Sequence, residues 1–274
     1  MEESKVLSAY EKVQIVRDNN RPKIDDYINA LFHDFVELKG DRLGGEDAGI
    51  LGGIAMFHDT PVTIIGHKKG KDIEENVKCN FGMPQPEGYR KAVRLMKQAE
   101  KFNRPIITFV DTPGAYPGIK AEENGQSIAI AEAIAKMSSL KTPVIVIITG
   151  EGNSGGALAI GVGNTVVMLE NAVYSILSPE GFASILWKDA SRSAEACEMI
   201  KMTADNLKEF GIIDKIIPEP KGGIQMNPAK GYGIIDRFLV KELKKYSGMS
   251  GAALAKHRYQ KFRKIDKEHG MLKM

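Results

Sequence analysis

The stretch Thr142–Asn164, TPVIVIITGEGNSGGALAIGVGN, decides how this chain is read. Its opening run, Pro143 to Gly150, is apolar and rich in Val and Ile. That pattern predicts a strand buried on both faces. A glycine-dense turn follows, with Gly150, Gly152, Gly155 and Gly156, and then a short apolar segment, Ala157–Ile160, that reads as the first turns of a helix. Ser154 is a residue type that caps helices. A helix starting there leaves the N–H groups of Gly155 and Gly156 among its unsatisfied donors. Neither residue has a side chain to keep a ligand away from the backbone. The turn is therefore suited to an anion or a developing oxyanion.

Other readings of the same turn are weaker. A phosphate-binding P-loop needs Lys and a hydroxyl where Gly156 and Ala157 stand. A dinucleotide fingerprint matches Gly150-x-Gly152-x-x-Gly155 after a strand, with Glu170 about twenty residues on. The segment before the next apolar run is only about 13 residues, however, and too broken by glycine for a crossover helix. Gly152-x-Ser154-x-Gly156 also fits the elbow of a serine hydrolase, which would need an Asp and then a His downstream. By order alone Asp189, Asp205, Asp214 or Asp236 could serve, with His257. A tight turn with no ligand remains open as well.

Outward from this stretch the chain reads as alternating helices and strands. Residues 6–17 and 24–36 carry helical apolar faces, and 49–58 with 61–66 read as a hairpin turning at Asp59-Thr60. Residues 67–88 form a long loop that opens on His67, Lys68, Lys69 and Lys71. These lysines could meet the phosphates of a nucleotide-like ligand, or simply be solvated. His67 has no metal-site spacing and reads as structural. Residues 87–102 predict a strong helix, and Pro105–Val110 a second buried strand that runs into DTPGAYPG, Asp111–Gly118. Two prolines and two glycines there specify a rigid loop at a strand end, where open α/β sheets bind ligands. A helix from Glu122 to about Leu140 comes next. Strands at 164–170, 172–177 and 212–217 and helices at 179–187 and 191–210 complete the middle. The last 45 residues read as helical and basic, with Lys241, Lys244, Lys245, His257, Arg258, Lys261, Arg263 and Lys264 as a solvated or partner-docking face.

The totals bound the function. The sequence has 274 residues, 43% of them hydrophobic, and a net charge of +3, too even for a nucleic-acid binder. Cys79 and Cys197 are the only cysteines and form no metal-binding pair, which predicts a reducing, cytoplasmic location. No apolar run is long enough to span a membrane.

Several motifs together carry a family resemblance: DTPGAYPG, AEENGQSIAIAEAI, GEGNSGGALAIGVGN, YSILSPEGFASILWK, NFGMPQPEGYRKAVRLM, IIGHKKG and HRYQKF. In this order and density they resemble the carboxyltransferase α subunit of bacterial acetyl-CoA carboxylase, over about residues 6–265. The resemblance implies an α/β, crotonase-like fold of repeated ββα units. It divides into an N-terminal helical extension (1–40), a carboxyltransferase domain (41–246) and a C-terminal helical tail (247–274), continuous as one domain.

The resemblance also implies an activity: the carboxyl group of carboxybiotin, borne on the biotin carboxyl carrier protein, passes to acetyl-CoA and gives malonyl-CoA. The amides of Gly155 and Gly156 would hold the ureido oxygen of biotin as charge develops. Pro113, Gly114, Ala115 and Tyr116 would line the substrate, with Ser154, Lys68, Lys69 and Lys71 as further candidates. The resemblance implies a zinc-finger β subunit in an α2β2 assembly, biotin carboxylase as a further partner, and no metal on this chain. Asn153 stands where the family often has Gly.

Overall fold

The computed structural model describes residues 7–268. Its spine is one eight-stranded sheet. The expected hairpin is present: β2 (Ile50–Phe57) and β3 (Thr60–His67) pair antiparallel, Phe57 opposite Thr60. From β3 the sheet continues parallel through β4 (Ile106–Thr112), β5 (Val144–Asn153), β6 (Thr165–Leu169) and β8 (Lys215–Ile217). A short strand β7 (Val173–Ser175) pairs with the C-terminal end of β5. All residues of β4 and β5 are buried. Sheets covered on both faces by helices need such unbroken apolar strands.

β5 extends to Asn153, three residues beyond the apolar run. Pairing with β7 carries the strand through its glycines and into the turn. β4 likewise runs on through Asp111 and Thr112. Both glycine-rich loops therefore leave the C-terminal ends of two adjacent parallel strands.

The helices follow in order: α1 (Ala9–Val16), α2 (Ile24–Leu31), α3 (Ile73–Lys78), α4 (Pro86–Lys101), α5 (Ile119–Glu123), α6 (Gln126–Ser139), α7 (Ser154–Leu158), α8 (Pro179–Trp187), α9 (Ser193–Met199), α10 (Ala204–Glu209), α11 (Pro228–Tyr246) and α12 (Gly251–Glu268). Starts obey simple chemistry. Ser8 accepts the Glu11 N–H and Glu11 returns a bond to the Ser8 N–H, and Pro86, Pro179 and Pro228 sit in first turns. α2 lies in the main core, with Tyr27 stacked on Phe109 at 5.3 Å between ring centroids.

The structure corrects five sequence readings. Residues 33–37 are a strand, β1, rather than the end of the second helix, because Asp34 turns left-handed (φ 53°) and β1 pairs with the open edge of β2. The long loop after β3 contains α3 and a left-handed turn at Asn80–Gly82. The helix expected from Glu122 to Leu140 is two, α5 and α6. The helical stretch 191–210 is also two, α9 and α10, since Thr203 between them bridges to Val173. The strand expected at 212–217 is confined to Lys215–Ile217.

The basic face of the C-terminal helix needs correction too. The guanidinium of Arg258 is buried and donates to the carbonyls of Leu140 (2.8 Å) and Thr142 (3.1 Å) and to Oδ1 of Asn164 (2.6 Å). Lys261 is largely covered and paired with Asp214. Residues 269–274 of the expected tail lie outside the described residues. Arg258 fastens α12 together with the Leu254 carbonyl, which accepts from Asn164 at 2.9 Å, and loss of Arg258 leaves buried carbonyls without donors. Arg258→Ala should lower stability by roughly 3 kcal/mol. Amide exchange in α12 should accelerate more than exchange in β5, measured by hydrogen–deuterium exchange.

Candidate functional site

The two glycine-rich loops meet backbone to backbone. A Cβ placed on Gly156 would lie 2.6 Å from the Ala115 nitrogen and 2.8 Å from the Gly114 carbonyl carbon. It would also lie 2.8 Å from the Tyr89 hydroxyl, brought in from α4. No residue but glycine fits. Gly114 itself holds a φ of 144° with open space on its Cβ side, so its glycine serves conformation and Gly156's serves contact. Thr112 pins the turn between them, its hydroxyl accepting from the Gly114 N–H at 3.0 Å and donating to the Gly114 carbonyl at 2.7 Å.

Ser154 does not cap the helix. It is the first residue of α7, at φ 60°, and Asn153 in the cap position makes no side-chain capping bond. A left-handed residue is what lets β5 turn sharply into α7. α7 has five residues, so the aligned-dipole contribution is small; what remains is the pair of first-turn donors, the N–H groups of Gly155 and Gly156. Gly155 is partly exposed and Ser154 exposed, whereas Gly156 is buried. Beside them opens a cavity of about 740 Å³, lined by Ser154, Gly155 and mostly apolar side chains, among them Leu158, Tyr174, Ile176 and Phe262.

The lysine cluster is distributed differently from a phosphate site. Lys68 pairs with Asp25 (3.1 Å) and Glu75 (3.0 Å), and Lys71 with Asp26 (2.5 Å). Lys69 turns inward, 2.6 Å from Asp111 and 3.4 Å from Glu151. Glu151 in turn accepts from Arg17 of the α1 end at 2.5 Å, and Arg17 also holds Glu180 at the start of α8. Asp111 and Glu151 are the roots of the two loops. Asp111 stays charged despite burial because Lys69, Lys23 and the Glu151 N–H outweigh desolvation. Sequence reasoning passed over Arg17, Glu151 and Tyr89, since no local pattern announces a charge that finds its partner 134 residues away.

His67, read as structural, touches the site. It is 1% exposed, and its Nε2 donates to the Gly156 carbonyl at 3.2 Å. Burial pushes its pKa down to about 4, so the ring is neutral and the carbonyl selects the Nε2–H tautomer. Pro113, Gly114, Ala115 and Tyr116 form the facing loop, held by the Pro84 carbonyl, which accepts from the Tyr116 N–H at 3.0 Å and from Gln126 at 2.9 Å. The hydrolase arrangement is not assembled. Asp236 bonds His58, Asp205 bonds Lys12, Asp214 bonds the Val166 N–H, Asp189 caps its own turn, and His257 lies against Asn164. Nor is the dinucleotide arrangement: Asp111 occupies the space over Gly150, and Glu170 accepts from the Glu219 N–H.

The sequence profile of the family described as acetyl co-enzyme A carboxylase carboxyltransferase-like matches residues 2–266. The chain belongs to that family. It is 55% identical over 259 residues to the acetyl-coenzyme A carboxylase carboxyl transferase subunit alpha of Halalkalibacterium halodurans, covering 94% of this chain and 80% of that one. The corresponding subunit of Bacillus cereus is 56% identical over the same span. Among solved structures, transcarboxylase 12S superposes with a TM-score of 0.68 at 16% identity, covering 90% of this chain and 46% of that longer one. A Pseudomonas malonate decarboxylase hetero-tetramer in complex with coenzyme A gives 0.65 at 16%, covering 82% and 92%. These structures share the crotonase-type fold with the family member described here. No helix among the described residues is long and apolar enough to cross a membrane, and no described group of His, Cys, Asp and Glu could hold a metal.

Keeping His67 neutral makes stability pH-dependent. An unfolded histidine takes up a proton below its ordinary value near 6.5, while the folded ring resists until about 4. Folding stability contributed by the neutral ring is complete above pH 6.5 and is lost as pH falls towards 4, by about 3 kcal/mol in all. His67→Gln should remove that component, so urea midpoints followed from pH 7 to 4 should fall less steeply in the variant.

Proposed function

We propose that this chain is the α half of an acetyl-CoA carboxylase carboxyltransferase, in which the Gly155 and Gly156 amides hold the ureido oxygen of carrier-borne biotin. The observation that carries the reading is the backbone contact at Gly156, where the loops from the C-terminal ends of β4 and β5 meet. As the carboxyl group leaves the ureido nitrogen, negative charge grows on the ureido oxygen. Fixed N–H donors aimed at that point lower the barrier because they need no reorganisation. A Cβ at Gly156 would force the two loops apart, and one at Gly155 would press on Ile130 at 3.3 Å.

The adjoining cavity supports the same reading. Its predominantly apolar lining offers the surface that the sulfur ring and aliphatic arm of biotin need. The loop Pro113–Tyr116 closes the opposite side of the turn and is the proposed contact for the acetyl-CoA thioester. Ser154, exposed at the mouth, is a secondary candidate; Lys68 and Lys71, already paired on the surface, could contribute only by exchanging partners.

The face around the turn supports a partner subunit. Ile119, Ile128, Ile176 and Ile185 stand largely exposed on α5, α6, the segment after β7 and α8. Ile176 also lines the cavity beside Ser154 and Gly155, and exposed apolar residues are what an interface requires. The β subunit is the proposed occupant, supplying the second set of amides for the thioester enolate, with the biotin carboxyl carrier protein and biotin carboxylase as further partners and an α2β2 assembly.

The reading is tested by malonyl-CoA-dependent carboxylation of biocytin, the reverse reaction, with this chain alone and with the β subunit encoded in the same genome. Activity is expected only in the mixture; activity of the chain alone would place both cradles here. Gly156→Val should lower kcat by about 10²–10³ or more, since its branched side chain must displace Ala115. Co-purification with the β subunit should survive. A variant that turns over at the normal rate would remove Gly156 from the mechanism.

A further inference from the structure

We propose that the end of strand β3 positions both site loops, His67 through the Gly156 carbonyl and Lys69 through Asp111 and Glu151. The inference rests on the reading of Gly155 and Gly156 as the oxyanion cradle, and it assigns a role to residues outside that cradle.

A Gly-Gly pair is the least restricted backbone available. Its amides can act as pre-aimed donors only if something other than their own side chains restrains them. The His67 bond to the Gly156 carbonyl, at 3.2 Å, does this from below. Holding that carbonyl fixes the peptide plane that follows Gly156 and limits rotation of the residue itself. The ring can move little, being 1% exposed at the end of a strand paired to Ile50 on one side, with Gly66 paired to Phe109 on the other.

Lys69 acts two residues further on. Its ammonium lies 2.6 Å from Oδ1 of Asp111 and 3.4 Å from Oε2 of Glu151, and Oδ1 of Asp111 also accepts the Glu151 N–H at 3.1 Å. One cation thus ties the root of DTPGAYPG to the root of EGNSGG. The β4–β5 register shifts between Val110 and Thr112, where ladder bonds alone do not set the spacing. The Asn80–Gly82 turn packs over the stem of Lys69, leaving a Cβ on Gly82 only 2.7 Å from its Cγ. His67 is buried and Lys69 is enclosed by two carboxylates. They are positioning residues for the contact between Gly156 and Ala115.

The test uses the complex of this chain with its β subunit and the biocytin assay. His67→Leu removes the donor, and His67→Gln restores an N–H near the same place. Lys69→Met removes the cation; because it leaves Asp111 buried and unpaired, Lys69→Met with Asp111→Asn provides a charge-balanced second variant. A displacement of the cradle by an ångström should cost about 10–100-fold in kcat. His67→Leu and the double variant should each show such a loss, with KM for malonyl-CoA within about twofold of wild type. His67→Gln should recover most of the rate.

A merely structural role would lower the melting temperature and leave kcat intact in the folded fraction, and that result would overturn the inference. So would equal losses in His67→Leu and His67→Gln. Failure of the wild-type complex to transfer carboxyl groups at all would overturn the cradle reading itself, a separate outcome visible before any variant is made.

Discussion

The contact between Gly156 and the Ala115 nitrogen constrains everything around it. Two loops can approach to that distance only as backbone, and only if the strands below deliver them to the same end of the sheet at the same height. β4 and β5 do so because they are central, parallel and buried along their whole lengths. Hydrophobic burial thus sets the platform, and the residues with the fewest atoms set the gap. A tighter core would not help if either loop were free to swing, since glycine-rich segments lose order readily.

Buried charge answers that need. Lys69, Asp111, Glu151, Arg17 and Glu180 form a chain of ion pairs running from β3 to α1 and α8. Ion pairs removed from water gain little net stability. Their value here lies in direction: Asp111 and Glu151 are buried and each meets a cation, which holds the loop roots, while Arg17 and Glu180 at the far end are partly exposed. The helix α1, which packs with Val173, Cys197 and Met202 in a small cluster of its own, is joined to the site chiefly through Arg17. An N-terminal element far from the turn in sequence is thereby part of the turn's support.

Much of this was legible in the sequence, and the limit is physical. Unbroken Val/Ile runs announced β4 and β5, and the glycines of GEGNSGG and DTPGAYPG marked the loops, because period and turn chemistry are local properties. His33–Glu37 reads as helix in the sequence because Phe32, just before it, and Phe35 continue the helical spacing of α2, while its strand character comes from pairing with β2. Lys69 resembled its neighbours Lys68 and Lys71 in composition; only the fold separates a surface lysine from one enclosed by two carboxylates. Arg258 looked like one more cation on a basic helix, yet it is buried against backbone carbonyls from residues 140 and 142. Local patterns find elements and turns, whereas the partner of a buried charge is a tertiary fact.

The commitments of the titratable groups also bear on the chemistry. His67 is neutral and donates to a carbonyl, and Asp111 and Glu151 are engaged with Lys69 and Arg17. A general base must be free to accept a proton in reach of substrate. On the proposed reaction, these three groups are therefore not the base for the acetyl α-proton, and what they contribute is placement and electrostatics. On that reading, the turn is one wall of a site whose second wall a partner would bring, with Ile176 exposed beside it.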